Sequence, residues 1–154
     1  MRTTFLLLLS GASLAGWAQS PVPAPAAPPT PRASVRLSLL LPFTPLLTVE
    51  VRATGPLTLQ GESNFRRVHG LNVRYYLRQP MRGGFVFVGS ALVRDALLRA
   101  DERTTVLPYA GYGYAWPLGP RWTADARAGL GPAVNADSPR VYPVVKIGVG
   151  RKFY

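Results

Sequence analysis

Glu62, Ser63 and His69 stand within one short stretch, GESNFRRVHG (61–70). A serine hydroxyl, an imidazole base and a carboxylate that orients it are the parts of a serine hydrolase. His69 is the one histidine of the chain, so any such site must use it. Ser63 and His69 flank a predicted loop, however, and spacing alone does not set their side chains face to face. A polar loop carrying one exposed His is the plainer reading, and no catalytic residue is expected.

Other chemistry is thinner still. Gly111-Tyr112-Gly113 and Gly129-Leu130-Gly131 echo parts of phosphate loops, but no strand–loop–helix context follows them. Glycine there fits close packing of backbones better. Asp101-Glu102 is an acidic pair without the ligand spacing calcium needs. With no Cys and one His, thiolate zinc sites, disulfides and His-rich metal sites are excluded. No metal or cofactor is therefore expected. The chain carries 18 Lys+Arg against 7 Asp+Glu, a formal charge of +11, which raises nucleic acid as a partner. Arginine is scattered over the whole chain, and no basic stripe interleaved with stacking aromatics emerges. No nucleic-acid partner is expected.

The elements that must position these residues begin after a leader. Arg2 precedes the apolar run Phe5–Leu9, and Gly16-Trp17-Ala18 puts small residues where a signal peptidase reads. This is the pattern of a secretory signal peptide, residues 1–18, cut between Ala18 and Gln19. The apolar stretch is short of the roughly 20 residues a helical span needs. Residues 19–33 form a Pro/Ala-rich linker with six prolines, which fix φ, remove amide donors and favour polyproline II. Residues 34–154 are the folded domain.

That domain alternates polar and apolar residues with period two, broken at Gly, Pro, Asn and Asp. Eight strands are expected: Ser34–Leu41, Leu46–Ala53, Leu57–Phe65, Leu71–Arg78, Phe85–Arg94, Thr104–Trp116, Trp122–Leu130 and Tyr142–Phe153. The first three have the least definite ends. Phe85–Arg94 is apolar on both sides, so its facing is open. Short turns at 54–56, 79–83 and 117–120 take turns with longer polar connections at 95–103 and 133–141, as in an up-and-down barrel. Eight membrane strands of 9–11 residues use roughly 80 residues, which the domain supplies.

Alternation does not say which face is wet. Charged residues are 16% of the chain, whereas soluble surfaces carry about 25–35%. The polar faces hold both signs: Arg36, Arg52, Arg74, Arg127 and Lys146 with Glu50, Glu62 and Asp125. Such a set can pair inside a barrel of eight strands, which its own side chains fill. Tyr75, Trp116, Trp122, Tyr142 and Phe153 lie near strand ends, where an aromatic girdle would stand. The expected fold is an all-β, eight-stranded antiparallel up-and-down transmembrane β-barrel with a polar lumen network and an apolar outer wall.

LNVRYYLRQPMRGGFVFVGSAL (Leu71–Leu92), GYGYAWPLGPRWTADARAGLGPA (Gly111–Ala133) and VVKIGVGRKFY (Val144–Tyr154) resemble the small outer-membrane β-barrel proteins of the DUF3575 type. The resemblance covers Leu71–Tyr154 well and Ser34–Phe65 by pattern only. It implies a location in the outer membrane of a Gram-negative-type cell and contact with the barrel-insertion machinery through the aromatic-ended last strand. It implies no established chemistry. Arg66, Arg67, Arg99, Arg103 and Arg140 fall in connections assigned to one rim, where guanidinium groups would suit lipopolysaccharide phosphates. The function expected is a structural or interaction role among outer-membrane lipids. The alternatives are a soluble periplasmic, lipocalin-like barrel for a small apolar ligand and, more weakly, a lipid-acting barrel hydrolase built on Ser63 and His69.

Overall fold

The computed structural model describes residues 29–41, 44–94, 104–134 and 140–154. The leader, its cleavage point at Ala18-Gln19 and most of the Pro-rich linker lie outside the described residues. So do Arg99, Arg103 and the Asp101-Glu102 pair.

Eight strands follow one another: β1 (Ala33–Leu40), β2 (Thr44–Thr54), β3 (Leu57–Ser63), β4 (Val68–Tyr76), β5 (Gly83–Arg94), β6 (Thr104–Pro117), β7 (Trp122–Pro132) and β8 (Val141–Phe153). Each pairs antiparallel with the next, and β1 pairs with β8 from Ala33↔Phe153 to Leu40↔Lys146, so the sheet closes with no free edge. Closure satisfies every ladder within the chain.

Three tight turns join strands at one rim, where both ends of the domain also lie. Their backbone demands are met locally: Gly55 at φ 48°, Gly83 at φ 82° and Gly119 at φ 129° take conformations that a Cβ makes costly. Met81 reaches φ 58° beside the Gln79↔Arg82 bridge. The opposite rim carries the other four connections. The expected alternation of short and long connections holds only in part there. Just three residues separate β1 from β2 and four separate β3 from β4, so only the connections after β5 and β7 are long.

β4 begins at Val68, three residues before its expected start. The reason lies in the preceding loop. The Asn64 side-chain oxygen accepts the amides of Arg66 (3.0 Å), Arg67 (2.8 Å) and Val68 (2.9 Å), an Asx-type closure. The turn tightens, and the ladder resumes at once through Ser63↔His69. β1 and β3, with 8 and 7 residues, are shorter than the 9–11 residues of a typical membrane strand.

Alternation sorts the two faces. Leu37, Val49, Leu71, Val88, Leu130, Ile147 and Val149 point outward and are exposed. Arg36, Glu50, Gln60, Glu62, Asn72, Arg74, Asp125, Arg127 and Lys146 point inward and are buried. A soluble barrel would carry these sets the other way round. The open question of β5 is settled by Phe85, Phe87, Ala91 and Val93 pointing inward while Val86, Val88 and Leu92 point outward.

Candidate functional site: a charged, aromatic-backed lumen

The lumen is built where inward rows of facing strands meet. Glu50 on β2 ion-pairs with Arg36 on β1 and accepts from Thr58 (2.5 Å), Tyr76 (2.9 Å) and Arg74 (3.4 Å). Arg74 bridges onward to Asp125 at 3.0 Å, and Arg36 Nη1 lies 3.7 Å from the same carboxylate. A second cluster forms about Glu62, which pairs with both Arg127 and Lys146 and accepts from the Tyr109 hydroxyl at 3.1 Å. Arg127 also donates to Gln60 (3.0 Å) and Asn72 (3.2 Å). Asn72 donates in turn to Tyr109 at 3.4 Å. Residues from β1, β2, β3, β4, β6, β7 and β8 thus meet along the axis.

These charges stay in a low-dielectric interior because each has partners; one stripped of them would carry an uncompensated desolvation cost. Aromatic rings supply the rest of the filling. Tyr76, Phe85, Phe87 and Tyr109 form a ladder with centroid separations of 5.1, 6.2 and 5.9 Å. Three of the four network cations back onto a ring: Arg74 over Phe85 (4.5 Å), Arg127 over Phe87 (5.3 Å) and Lys146 over Tyr109 (5.3 Å). Contact with a ring face stabilises a cation that has lost water. Small residues make room for this filling: a Cβ on Gly113 would run into Phe85 and the Arg127 side chain.

The structure brings together seven of the eight residues expected in the lumen. Arg52 is the exception. It is exposed at the short-turn rim, where the ladder shifts register between Arg52 and Thr54. Its inward parity is spent beyond the filled section of the barrel. The girdle is corrected as well. Tyr75, Trp116, Trp122 and Phe153 are outward and exposed, but Tyr142 shares the parity of Val144 and Lys146 and packs half-buried against the core. The four that stand outward all lie toward the short-turn rim, joined by Tyr112 and Tyr114, the latter 5.0 Å from the Trp116 ring. Sequence reasoning missed Phe85, Phe87 and Tyr109 as lumen residues. Tyr76 follows Arg74 at two residues and so shares the polar parity, whereas the strands that carry Phe85, Phe87 and Tyr109 gave no facing signal.

Ser63 and His69 do meet. They are cross-strand partners, with Ser63 Oγ 2.9 Å from His69 Nδ1 and the Phe65 amide donating to the same oxygen at 2.8 Å. Both face outward at the head of an apolar groove of about 570 Å³ whose walls include Leu47, Val49, Leu71 and Leu92. Glu62 does not complete a triad. It points to the opposite face, held by Arg127, Lys146 and Tyr109. Among the described residues every Asp or Glu is luminal, and no group of three His, Cys, Asp or Glu side chains could hold a metal ion. Arg66, Arg67 and Arg140 are exposed on the rim opposite the tight turns.

The barrel is similar to the crystal structure of the N-terminal β-barrel domain of Pseudomonas aeruginosa OprF, with a TM-score of 0.59 and 15% identity over 79% of this chain and 96% of that one. At that identity the likeness establishes a shared fold. No protein-family model and no curated relative matches the chain, so the finer resemblance to DUF3575 barrels gains no support from them.

Proposed function

We propose that this chain is a structural barrel of the outer membrane, with no catalysis of its own. One observation carries the reading: a closed sheet whose outer wall is apolar and whose interior is charged. An apolar wall around a polar lumen is the arrangement hydrocarbon requires and water penalises. The likeness in fold to an outer-membrane domain supports the same location. The lipocalin-like alternative fares poorly, because the interior is occupied by ion pairs and rings where an apolar ligand would sit.

In this reading the tight turns and both domain ends face the periplasm and the other four connections face outward, following the usual disposition of such barrels. A signal peptide cut after Ala18 delivers the chain, and the last strand, ending in Phe153, is what the insertion machinery engages. The outer rim with Arg66, Arg67 and Arg140 contacts lipopolysaccharide phosphates. Hydrolysis is the weaker alternative: Ser63 and His69 are paired, but no described carboxylate orients the imidazole.

Cysteine scanning tests the location and orientation on a chain with no native Cys. In intact cells a membrane-impermeant maleimide should label Arg66→Cys and leave Arg121→Cys unlabelled until the outer membrane is opened. Equal labelling of both in intact cells, or of neither after opening, contradicts the reading.

A further inference from the structure

The short-turn rim is cationic all the way round. It has four junctions: the β2–β3, β4–β5 and β6–β7 turns and the β8–β1 closure. Arg52 stands at the first, Arg78 and Arg82 at the second, Arg121 at the third, and Arg32 and Arg151 at the fourth; all six are exposed. None of the six makes an ion pair among the described residues. Among the described residues no Asp or Glu side chain shares this rim: Glu50, Glu62 and Asp125 are luminal. Exposed arginines gathered on one rim repel one another and draw anions to it.

We infer that this ring binds the phosphate groups of anionic phospholipids in the membrane leaflet that faces the short turns. This inference rests on the membrane reading above. Two features select a lipid annulus over one soluble macromolecule. The cations divide among all four junctions, so a single acidic peptide or glycan strand would reach only part of the ring, whereas a shell of lipids meets all of it. The cations also stand at the height of the outward aromatics. Arg121 precedes Trp122, Arg78 follows Tyr75 by three residues, and the Arg151 guanidinium lies 5.8 Å from the Phe153 ring centroid. Aromatic rings seat at the boundary between hydrocarbon and headgroups, and cations beside them reach the phosphate layer. A guanidinium meets phosphate with two parallel hydrogen bonds, which favours Arg over Lys at such a rim.

The test reconstitutes the full chain into phosphatidylcholine vesicles holding a minor share of phosphatidylglycerol. Spin-labelled lipids of both types then report which is immobilised at the barrel surface. The unaltered barrel should hold the anionic lipid about threefold or more over its bulk share, and less as salt screens the ring. Combining Arg52→Gln, Arg78→Gln, Arg82→Gln, Arg121→Gln and Arg151→Gln should remove most of that preference. The opposite-rim pair Arg66→Gln and Arg140→Gln should keep most of it. An unchanged preference in the five-site variant overturns the inference. So does a preference that inorganic phosphate, or a soluble acidic peptide standing for a periplasmic partner, abolishes at matched ionic strength. Heat-modifiable gel mobility is read on the same samples. A chain that never inserts overturns the membrane reading and the ring with it, while an inserted barrel without lipid preference overturns the ring alone.

Discussion

Glu62→Gln should cost more than Glu50→Gln, although Glu50 has more hydrogen-bond partners. Glu50 binds Arg36, Arg74, Thr58 and Tyr76, but those two arginines also reach Asp125, at 3.7 and 3.0 Å. A carboxylate therefore remains when Glu50 loses its charge. Among the described residues Glu62 is the sole carboxylate paired with Arg127 and Lys146, so its neutralisation leaves these two buried cations with neutral acceptors as their direct partners. Breaking a buried pair costs about 3–5 kcal/mol. Glu62→Gln belongs at the upper end, about 4–5 kcal/mol, and Glu50→Gln nearer 2–3 kcal/mol because its cations keep a counter-charge. The gap of about 2 kcal/mol is more than tenfold in the folding equilibrium. Adding Lys146→Met to Glu62→Gln removes the surplus cation. Arg127 then keeps Gln60 and Asn72, and roughly half of the loss should return. Urea unfolding in phospholipid vesicles reads all three, with Trp116 and Trp122 as outward-facing reporters. Equal losses for the two single variants, or the reverse order, would refute the partition of the lumen into two clusters.

Outward substitution should fail in a depth-dependent way: Val49→Arg and Ala126→Arg should each cost about 2–4 kcal/mol near the bilayer midplane, measured as folded yield in vesicles. Thr58→Arg should also fail, for the different reason that Thr58 is fully buried against Glu50; a well-folded Thr58→Arg would mean the lumen is not filled. Gly61→Ala should be near neutral because nothing lies within 4 Å of its added Cβ, whereas Gly113→Val drives into Phe85 and Arg127 and should cost at least about 1–3 kcal/mol. Similar melting of the two glycine variants would contradict that packing. A fluorophosphonate probe should leave Ser63 unmodified in the folded barrel, since His69 lacks a described carboxylate partner; stoichiometric labelling lost in Ser63→Ala would reinstate the hydrolase alternative. Deleting Phe153-Tyr154 should lower the inserted yield strongly and deleting Tyr154 alone much less, because Phe153 pairs with Ala33 and its carbonyl accepts the Arg32 amide at 2.8 Å.

Strand number and order, and the facing of most strands, were legible because alternation is a direct projection of the pleat. A residue such as Val49 between Thr48 and Glu50 reads as outward wherever the barrel's interior is charged. What parity alone could not resolve was height along the axis. Arg52 has the inward parity of Glu50, yet it sits past the filled section and stays exposed. Tyr142 looks like a girdle residue by type and position, but its parity with Lys146 turns it inward. Loop chemistry was the other gap. Asn64 gathers three amides and so decides where β4 starts and that Ser63 and His69 face each other. That Arg74 and Arg127 would pair with Glu50, Glu62 or Asp125 was legible, but not which with which, because Arg127 and Glu62 are brought together by closure of the whole sheet rather than by a neighbouring strand. Phe85 and Phe87 of the aromatic ladder escaped for a different reason: they lie on a strand apolar on both sides, where the pattern carries no facing signal.

The most direct measurement of the central claim is gel mobility of the unaltered chain in fractionated envelopes, before and after boiling. A closed barrel with this paired sheet should sediment with the outer membrane, resist unfolding by cold detergent and change mobility only on heating. A chain released by osmotic shock, running at one position whether boiled or not, would contradict it.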